Sequence, residues 1–397
     1  MVVEPIGQEF ALNDTQLGFL VGMAYGLPFA IAGVPFGYLV DRVNRRRFLA
    51  FMLSLWSLLT AVCGFAQSYL QLIAARMAVG TAEAGFPAAH SMIADYFPAK
   101  KRPMALGIFV SGGSFAFILT FALGGLIAEA MGWRAVFFVA GVPGLLLALL
   151  FFLTVREPYR GGFDDRSELT DQPAPGIITT FRYLFGRRSF THLFIGYVLT
   201  AASTSAFWSW ITSLMIRVHG LSVGEAGLYV AAGAGVCSFI GAVSGALFVG
   251  RLAERSIMNV LTFITLAAVI LGPVGIAMSL APNLQLTLAL MVFVGLLKSS
   301  YPGPAQGLIL SLAQPKMRGV SASLLMVMGT LLGFGAGPLI AGTISTFLGG
   351  GTAIRYGLAI LFLLNFWAGI HFLFARKTLE VDIMAASGAG VLRPSAA

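Results

Sequence analysis

Apolar residues dominate this chain in long runs, and polar residues fall into short clusters between them. Eleven runs stand out, at about 17–40, 47–66, 71–96, 104–128, 134–153, 191–213, 224–249, 258–280, 284–312, 318–348 and 355–375. About 20 apolar residues cross the roughly 30 Å hydrocarbon core as a helix. Lipid offers backbone groups no hydrogen-bond partner, so spanning segments are helices or a closed barrel. Continuous runs of this length predict helices. The expected class is an all-α membrane protein.

The runs fall into two blocks. Residues 1–154 hold five and residues 191–376 hold six, with a polar connection at 155–190. That connection ends in "IITTFRYLFGRR", an amphipathic piece suited to a membrane surface. Residues 377–397 read as a disordered tail. The blocks repeat one another. At a shift of 209, Asn13-x-x-Gln16 meets Ser222-x-x-Glu225, each a capping box opening a run, and Arg42 and Arg46 meet Arg251 and Arg255. At a shift of 215, Gly80, Glu83, Phe86 and Pro87 meet Gly295, Lys298, Tyr301 and Pro302. Repeats of even helix number keep their direction and relate by an axis along the membrane normal, so matched residues share a depth. By this register the first block lacks one helix, which would precede residue 17.

Composition agrees: 58% of the 397 residues are hydrophobic and 10% charged, against about 25% charged in soluble domains. The net charge of +9 is no nucleic-acid patch, because the basic residues sort by loop. Clusters at 42–47, 100–102, 156–188, 251–255, 316–318 and 376–393 hold 20 of the 25. The positive-inside rule makes these segments cytoplasmic. It puts the N-terminus outside and the C-terminus inside. Cys63 and Cys237 lie within runs and imply no disulfide framework.

Charge inside the runs is the candidate chemistry. Arg76, Glu83 and His90 recur every seven residues, so one helix face carries them about 10 Å apart. Lys298 stands at the depth of Glu83 in the second block. Intramembrane charges face a cavity or one another. Glu83 and Arg76 are therefore candidates for proton coupling, and Glu83 a candidate partner of Lys298. "YVLTAASTSAFWSW" adds hydroxyl and aromatic groups at Tyr197, Thr200, Ser203, Thr204 and Trp208. "GFGAGPLIAG", Gly333 to Gly342, reads as a packing seam with a flexible point.

Three segments carry a family resemblance. "GYLVDRVNRRR" (Gly37 to Arg47), "RMAVGTAEAG" (Arg76 to Gly85) and "IADYFPAKKRPMALG" (Ile93 to Gly107) resemble those of the major facilitator superfamily, most of all its bacterial spinster-like branch. The resemblance implies two pseudo-symmetric bundles, twelve helices in the family, around a central cavity. It implies a secondary active transporter of a small amphipathic or anionic organic solute, coupled to protons. It also implies a cytoplasmic gate at Gly37, Asp41, Arg42 and Arg46, with Asp95 and Arg102. Lys298, His90, Tyr197, Thr200, Ser203, Thr204, Trp208 and Tyr301 would line the cavity.

Departures bear on coupling. Gly250 and Ala246 replace the acid and the glycine of the loop signature in the second block. Ala82 stands where the branch has glycine, and Gly112-Gly113 is no Gly-Pro antiporter signature. The expected partners are the solute, protons and the lipid bilayer. The expected form is a monomer in a bacterial inner membrane, without cofactor, metal or nucleic acid. The alternative reading is a truncated, inactive member of the same family. An enzyme is not expected: no His-Glu-x-x-His, Gly-x-Ser-x-Gly or phosphate loop is present.

Overall fold

The computed structural model describes residues 1–40, 42–85, 87–98, 101–159, 176–314 and 317–386. Among these it is helical, with no strand. The first bundle comprises α1 (Val3–Glu9), α2 (Asp14–Val21), α3 (Met23–Val40), α4 (Arg45–Cys63), α5 (Tyr69–Glu83), α6 (Pro87–Tyr96), α7 (Arg102–Met131) and α8 (Trp133–Thr154). After α9 (Ile177–Phe185), the second holds α10 (Arg188–His219), α11 (Val223–Val230), α12 (Cys237–Arg255), α13 (Ile257–Leu280), α14 (Leu284–Ser300), α15 (Pro302–Ser311), α16 (Arg318–Met328), α17 (Ala336–Phe347) and α18 (Ile354–Ala375). A final helix, α19, spans Leu379–Ala386.

Eight helical segments of the described residues are long and apolar enough to cross a membrane. The remaining three runs lie on α5–α6, α7 and α10. These are helical too, α7 with 30 residues and α10 with 32. The first is interrupted after Glu83, α7 keeps a shorter apolar stretch at Phe115–Met131, and hydroxyl groups lower the hydropathy of α10.

Local signals act as the sequence implies. Both capping boxes form, Asn13 with Gln16 and Ser222 with Glu225. The prolines at 87 and 302 each begin a new helix, so α5–α6 and α14–α15 break at equivalent points. A ring without an N–H cannot continue the ladder. Two π-helical segments, Ala231–Val236 and Gly329–Gly335, join α11 to α12 and α16 to α17. The second overlaps the start of the glycine-rich seam, at Gly333–Gly335. Part of the tail differs from expectation, while residues 387–397 lie outside the described residues. Leu379–Ala386 is helical rather than disordered, because Asp382 receives the Ser189 hydroxyl at 2.6 Å and pairs with Arg187 at 3.6 Å.

The bundles meet along two seams, α2–α3 against the π segment and α17, and α7 against α11. Gly18, Gly22, Gly26, Gly33 and Gly37 share one helical face. A Cβ on Gly18 would sit 2.5 Å from the Pro338 carbonyl oxygen, and one on Gly22 2.3 Å from that of Gly335. A Cβ on Gly33 or Gly37 would meet nothing within 4 Å, and the same holds at Gly112 and Gly113 on α7. The bundles therefore touch at the Asp14 end and part at the Arg45 end. The resemblance places Gly37 in a cytoplasmic gate, which would bring it against a neighbouring helix. In this conformation it does not pack so, because that end is open.

The seam tolerates no added volume. On Gly342 a Cβ would lie 2.1 Å from the Asp14 carbonyl oxygen, a backbone atom. Gly342→Ala should therefore destabilise the protein by ~1–3 kcal/mol, the usual cost of overpacking. An unchanged thermal midpoint in detergent would refute so close a contact.

Candidate functional site

Glu83 is the last residue of α5. Its neighbours are Tyr25 on α3, Trp56 on α4 and Arg76 two turns earlier. The Arg76 guanidinium lies 5.7 Å from the Tyr25 ring centroid. Gly80 permits this cluster, since a Cβ there would lie 2.4 Å from the Tyr25 carbonyl oxygen. The Trp56 indole Nε1 is buried beside the carboxyl but short of hydrogen-bond geometry. A cavity of about 350 Å³ adjoins the site, lined by Leu53, Trp56, Glu83, Phe109 and Phe151 among others. Its wall is apolar apart from the carboxyl and the indole.

The predicted stripe is shorter than expected. Arg76 and Glu83 share α5, but the helix breaks before His90, which lies on α6 and stacks edge-on against Phe109 at 5.3 Å.

Lys298 is 2% exposed, on the last turn of α14. Its Nζ lies 4.0 Å from the Trp208 ring centroid and 4.3 Å from that of Phe207, and it donates to the Thr204 carbonyl at 3.5 Å. Two aromatic faces thus take the place of a counter-ion. Trp208 also stacks on Phe117 and Phe121 of α7, at 5.2 and 5.5 Å. This contact crosses between the bundles. The expected pairing of Glu83 with Lys298 is not made among the described residues: each charge turns into its own bundle.

The other α10 residues are divided. Ser203 accepts from the Asn365 amide at 2.8 Å, and the Tyr301 hydroxyl reaches Asn365 at 3.5 Å. Ser203, Thr200 and Tyr301 are buried in this network rather than facing open space. Tyr197 is half-buried and accepts from Gln306 at 2.7 Å.

At the open end, Arg42 lies in the turn after α3, exposed, and hydrogen-bonds Tyr38 of that helix. Arg46 donates to the Phe152 carbonyl. Arg102 donates to the Phe97 carbonyl at 3.1 Å. Asp41 lies outside the described residues. Arg45, which the sequence did not single out, is the buried member of the cluster. It binds Asp95 at 2.5 Å, Ser91 at 2.8 Å and Glu157 at 3.0 Å. Burial alone would raise the Glu157 carboxyl. Hydrogen bonds from the Arg46 backbone and the Arg45 guanidinium outweigh it and hold that carboxyl below its usual 4.5.

Nothing in this arrangement joins a nucleophile to a base, and no cluster of three or more metal-ligating side chains occurs among the described residues. What it offers is a half-buried glutamate and a buried lysine at matched helix breaks, one in each of two bundles that meet at one end. The sequence profile of the Major Facilitator Superfamily matches residues 1–334. The chain belongs to the Major Facilitator Superfamily. It is a multi-pass membrane transporter and not an enzyme. An "MFS-type efflux pump" of Mycolicibacterium smegmatis is 26% identical over 87% of this chain and 79% of that protein. A "probable galactarate/D-glucarate transporter", GudP of Escherichia coli, is 26% identical over 63% of this chain and 61% of its own length, so the aligned part spans less than two thirds of that relative. Among solved structures, a bacterial homologue of the lysosomal transporter Spinster, inward-facing and unoccupied, superposes with a TM-score of 0.83 at 25% identity, covering 96% of this chain and 93% of that one. The transporter thus has the spinster-like fold that its three motifs suggest.

Proposed function

We propose that this protein is a secondary active transporter of a small amphipathic or anionic organic solute, driven by protons through alternating access. One observation carries the reading. An intramembrane carboxyl, Glu83, and an intramembrane ammonium, Lys298, stand at equivalent helix breaks of two related bundles. Buried charges at such cost are retained for binding or proton transfer. Glu83 is the proton-linked acid and Arg76 its modulator. Lys298 meets an anionic group of the solute when the aromatic cage of Phe207 and Trp208 opens. His90, Tyr197, Thr200, Ser203, Thr204, Trp208 and Tyr301 shape the path. The names of the sugar-acid relatives support an anionic solute.

The bundles are residues 1–154 and 191–376, joined by the cytoplasmic segment 155–190. The basic end is cytoplasmic in a bacterial inner membrane, and the protein acts as a monomer. The parted end is then the cytoplasmic one, an inward-open state. In the opposite state Gly37, Asp41, Arg42 and Arg46, with Asp95 and Arg102, close that end.

The test uses the purified protein in proteoliposomes with D-glucarate as probe. Lys298→Met fills the aromatic cage but removes the charge. It should fold in normal yield and lose at least tenfold in affinity for the dianion, about the 1.4 kcal/mol of a single weak ionic contact. Normal glucarate binding by this variant would remove Lys298 from the substrate path.

A further inference from the structure

The closed end of the molecule holds a second charged cluster that spans the two bundles. Arg217, in the last turn of α10, donates Nε to Glu4 on α1 at 2.9 Å and Nη1 to Asp14 on α2 at 2.9 Å. Its Nη1 also reaches the Gly351 carbonyl at 3.2 Å. Asp14 is 4% exposed and Glu4 7%. Ser345 on α17 donates to Asp14 at 2.5 Å, and the Thr15 N–H donates to the Thr346 hydroxyl at 2.9 Å. Every one of these contacts except that to Gly351 joins the first bundle to the second. The Gly342 close approach brings the Asp14 backbone into the same seam.

The surroundings suit a contact that is made and broken. A cleft of about 430 Å³ lies against the cluster, lined by Glu4, Asp14, Arg217, Thr346, Gly349 and Gly351 among others. It gives water a route to the charges. Gly349, Gly350 and Gly351 all have left-handed φ, at 99°, 70° and 61°. Glycine adopts this region freely, so the connection between α17 and α18 can change shape where it touches Arg217. A second pair at this end makes a contrast. Glu9 binds Arg134 at 2.6 Å and Trp133 at 2.7 Å, and Arg134 binds the Ala66 carbonyl at 2.9 Å. All of those groups belong to the first bundle.

We infer that Arg217, Glu4, Asp14 and Ser345 form the latch that holds this end shut, and that its rupture sets the equilibrium between the two access states. The argument is differential. The latch exists in the state shown and cannot exist when the bundles part at this end, so its free energy weighs on one side of the equilibrium alone. The Glu9–Arg134 pair survives in both states and weighs on neither. The inference rests on the alternating-access reading but not on the identity of solute or coupling ion.

Spin labels at Gln67→Cys and Leu348→Cys report the separation of the bundles at this end; both positions are exposed, and Cys63 and Cys237 are replaced by serine. The parent should give mainly the short distance. Arg217→Gln should raise the long-distance fraction severalfold without added substrate, and Asp14→Asn should do so in the same direction. Arg134→Gln should leave the distribution unchanged. If Arg217→Gln does not fold, Asp14→Asn and Ser345→Ala carry the test. Unchanged distributions in the latch variants would overturn the inference. So would an equal shift in Arg134→Gln, which would mean that any lost ion pair loosens this end. Transport assays on the same variants keep the two readings apart: a transporter whose latch variants do not shift has its gate elsewhere.

Discussion

Glu83→Gln should abolish proton-driven accumulation while leaving exchange of solute across the membrane. Glutamine keeps the shape of the side chain and its ability to bond Tyr25, but it has no proton to release. The acid sits at the end of α5, between Tyr25 and Trp56, with Arg76 beneath it. In such a position a change in access alters what the carboxyl sees. Its charge can then follow the conformation, which is the requirement for coupling. The measurement is a pair of assays on one preparation. Uptake of D-glucarate against its gradient, driven by an imposed proton gradient, should fall to background. Counterflow, which needs no net proton movement, should persist. Gradient-driven accumulation at the parent rate would end the proposed role of Glu83. Loss of both activities in a well-folded variant would make Glu83 a substrate contact instead.

The sequence announced the class and the repeat. Long apolar runs, basic loops and two matched capping boxes are local signals, and the capping boxes form as read. The matched prolines were legible as a repeat, but not that Pro87 and Pro302 each open a new helix, since the stripe from Arg76 to His90 presumes an unbroken one. Where a side chain points was not. Glu83 and Lys298 share a depth by repeat, yet each faces its own bundle, because rotation about a helix axis depends on neighbours that the repeat does not name. Arg45 shows the limit from another side. Four arginines crowd the loop from Arg42 to Arg47, and only one is 2% exposed. Its partners Asp95 and Glu157 lie 50 and 112 residues away. Arg217 lies outside the six basic clusters and belongs to no motif. Its two carboxylates lie more than 200 residues earlier in the chain. No local pattern marks a pairing over such distances.

Arg45→Met should destabilise the first bundle by roughly 3–5 kcal/mol, the usual loss when one partner of a buried pair is removed. The guanidinium side chain is 3% exposed and Asp95 11%. Removing the cation takes the guanidinium contact away from Asp95 and from Glu157 together. The penalty arises because both carboxylates stay partly desolvated while they lose the guanidinium. Arg45→Lys should recover only part of it, because a point charge cannot reach Asp95, Ser91 and Glu157 as a planar fork does. The pH dependence fixes the sign. A carboxyl held below its usual 4.5 stabilises the fold fully above that value and loses its contribution as the pH falls through the lowered one. The gap in thermal midpoint between parent and Arg45→Met should therefore stay constant from neutral pH down to the ordinary carboxylate range. It should narrow only below that range, as Glu157 takes up a proton. Thermal unfolding in detergent over that pH series measures it. A gap that closes at neutral pH would show that the Arg45 contacts contribute little, and that this arginine serves only to orient the loop in the membrane.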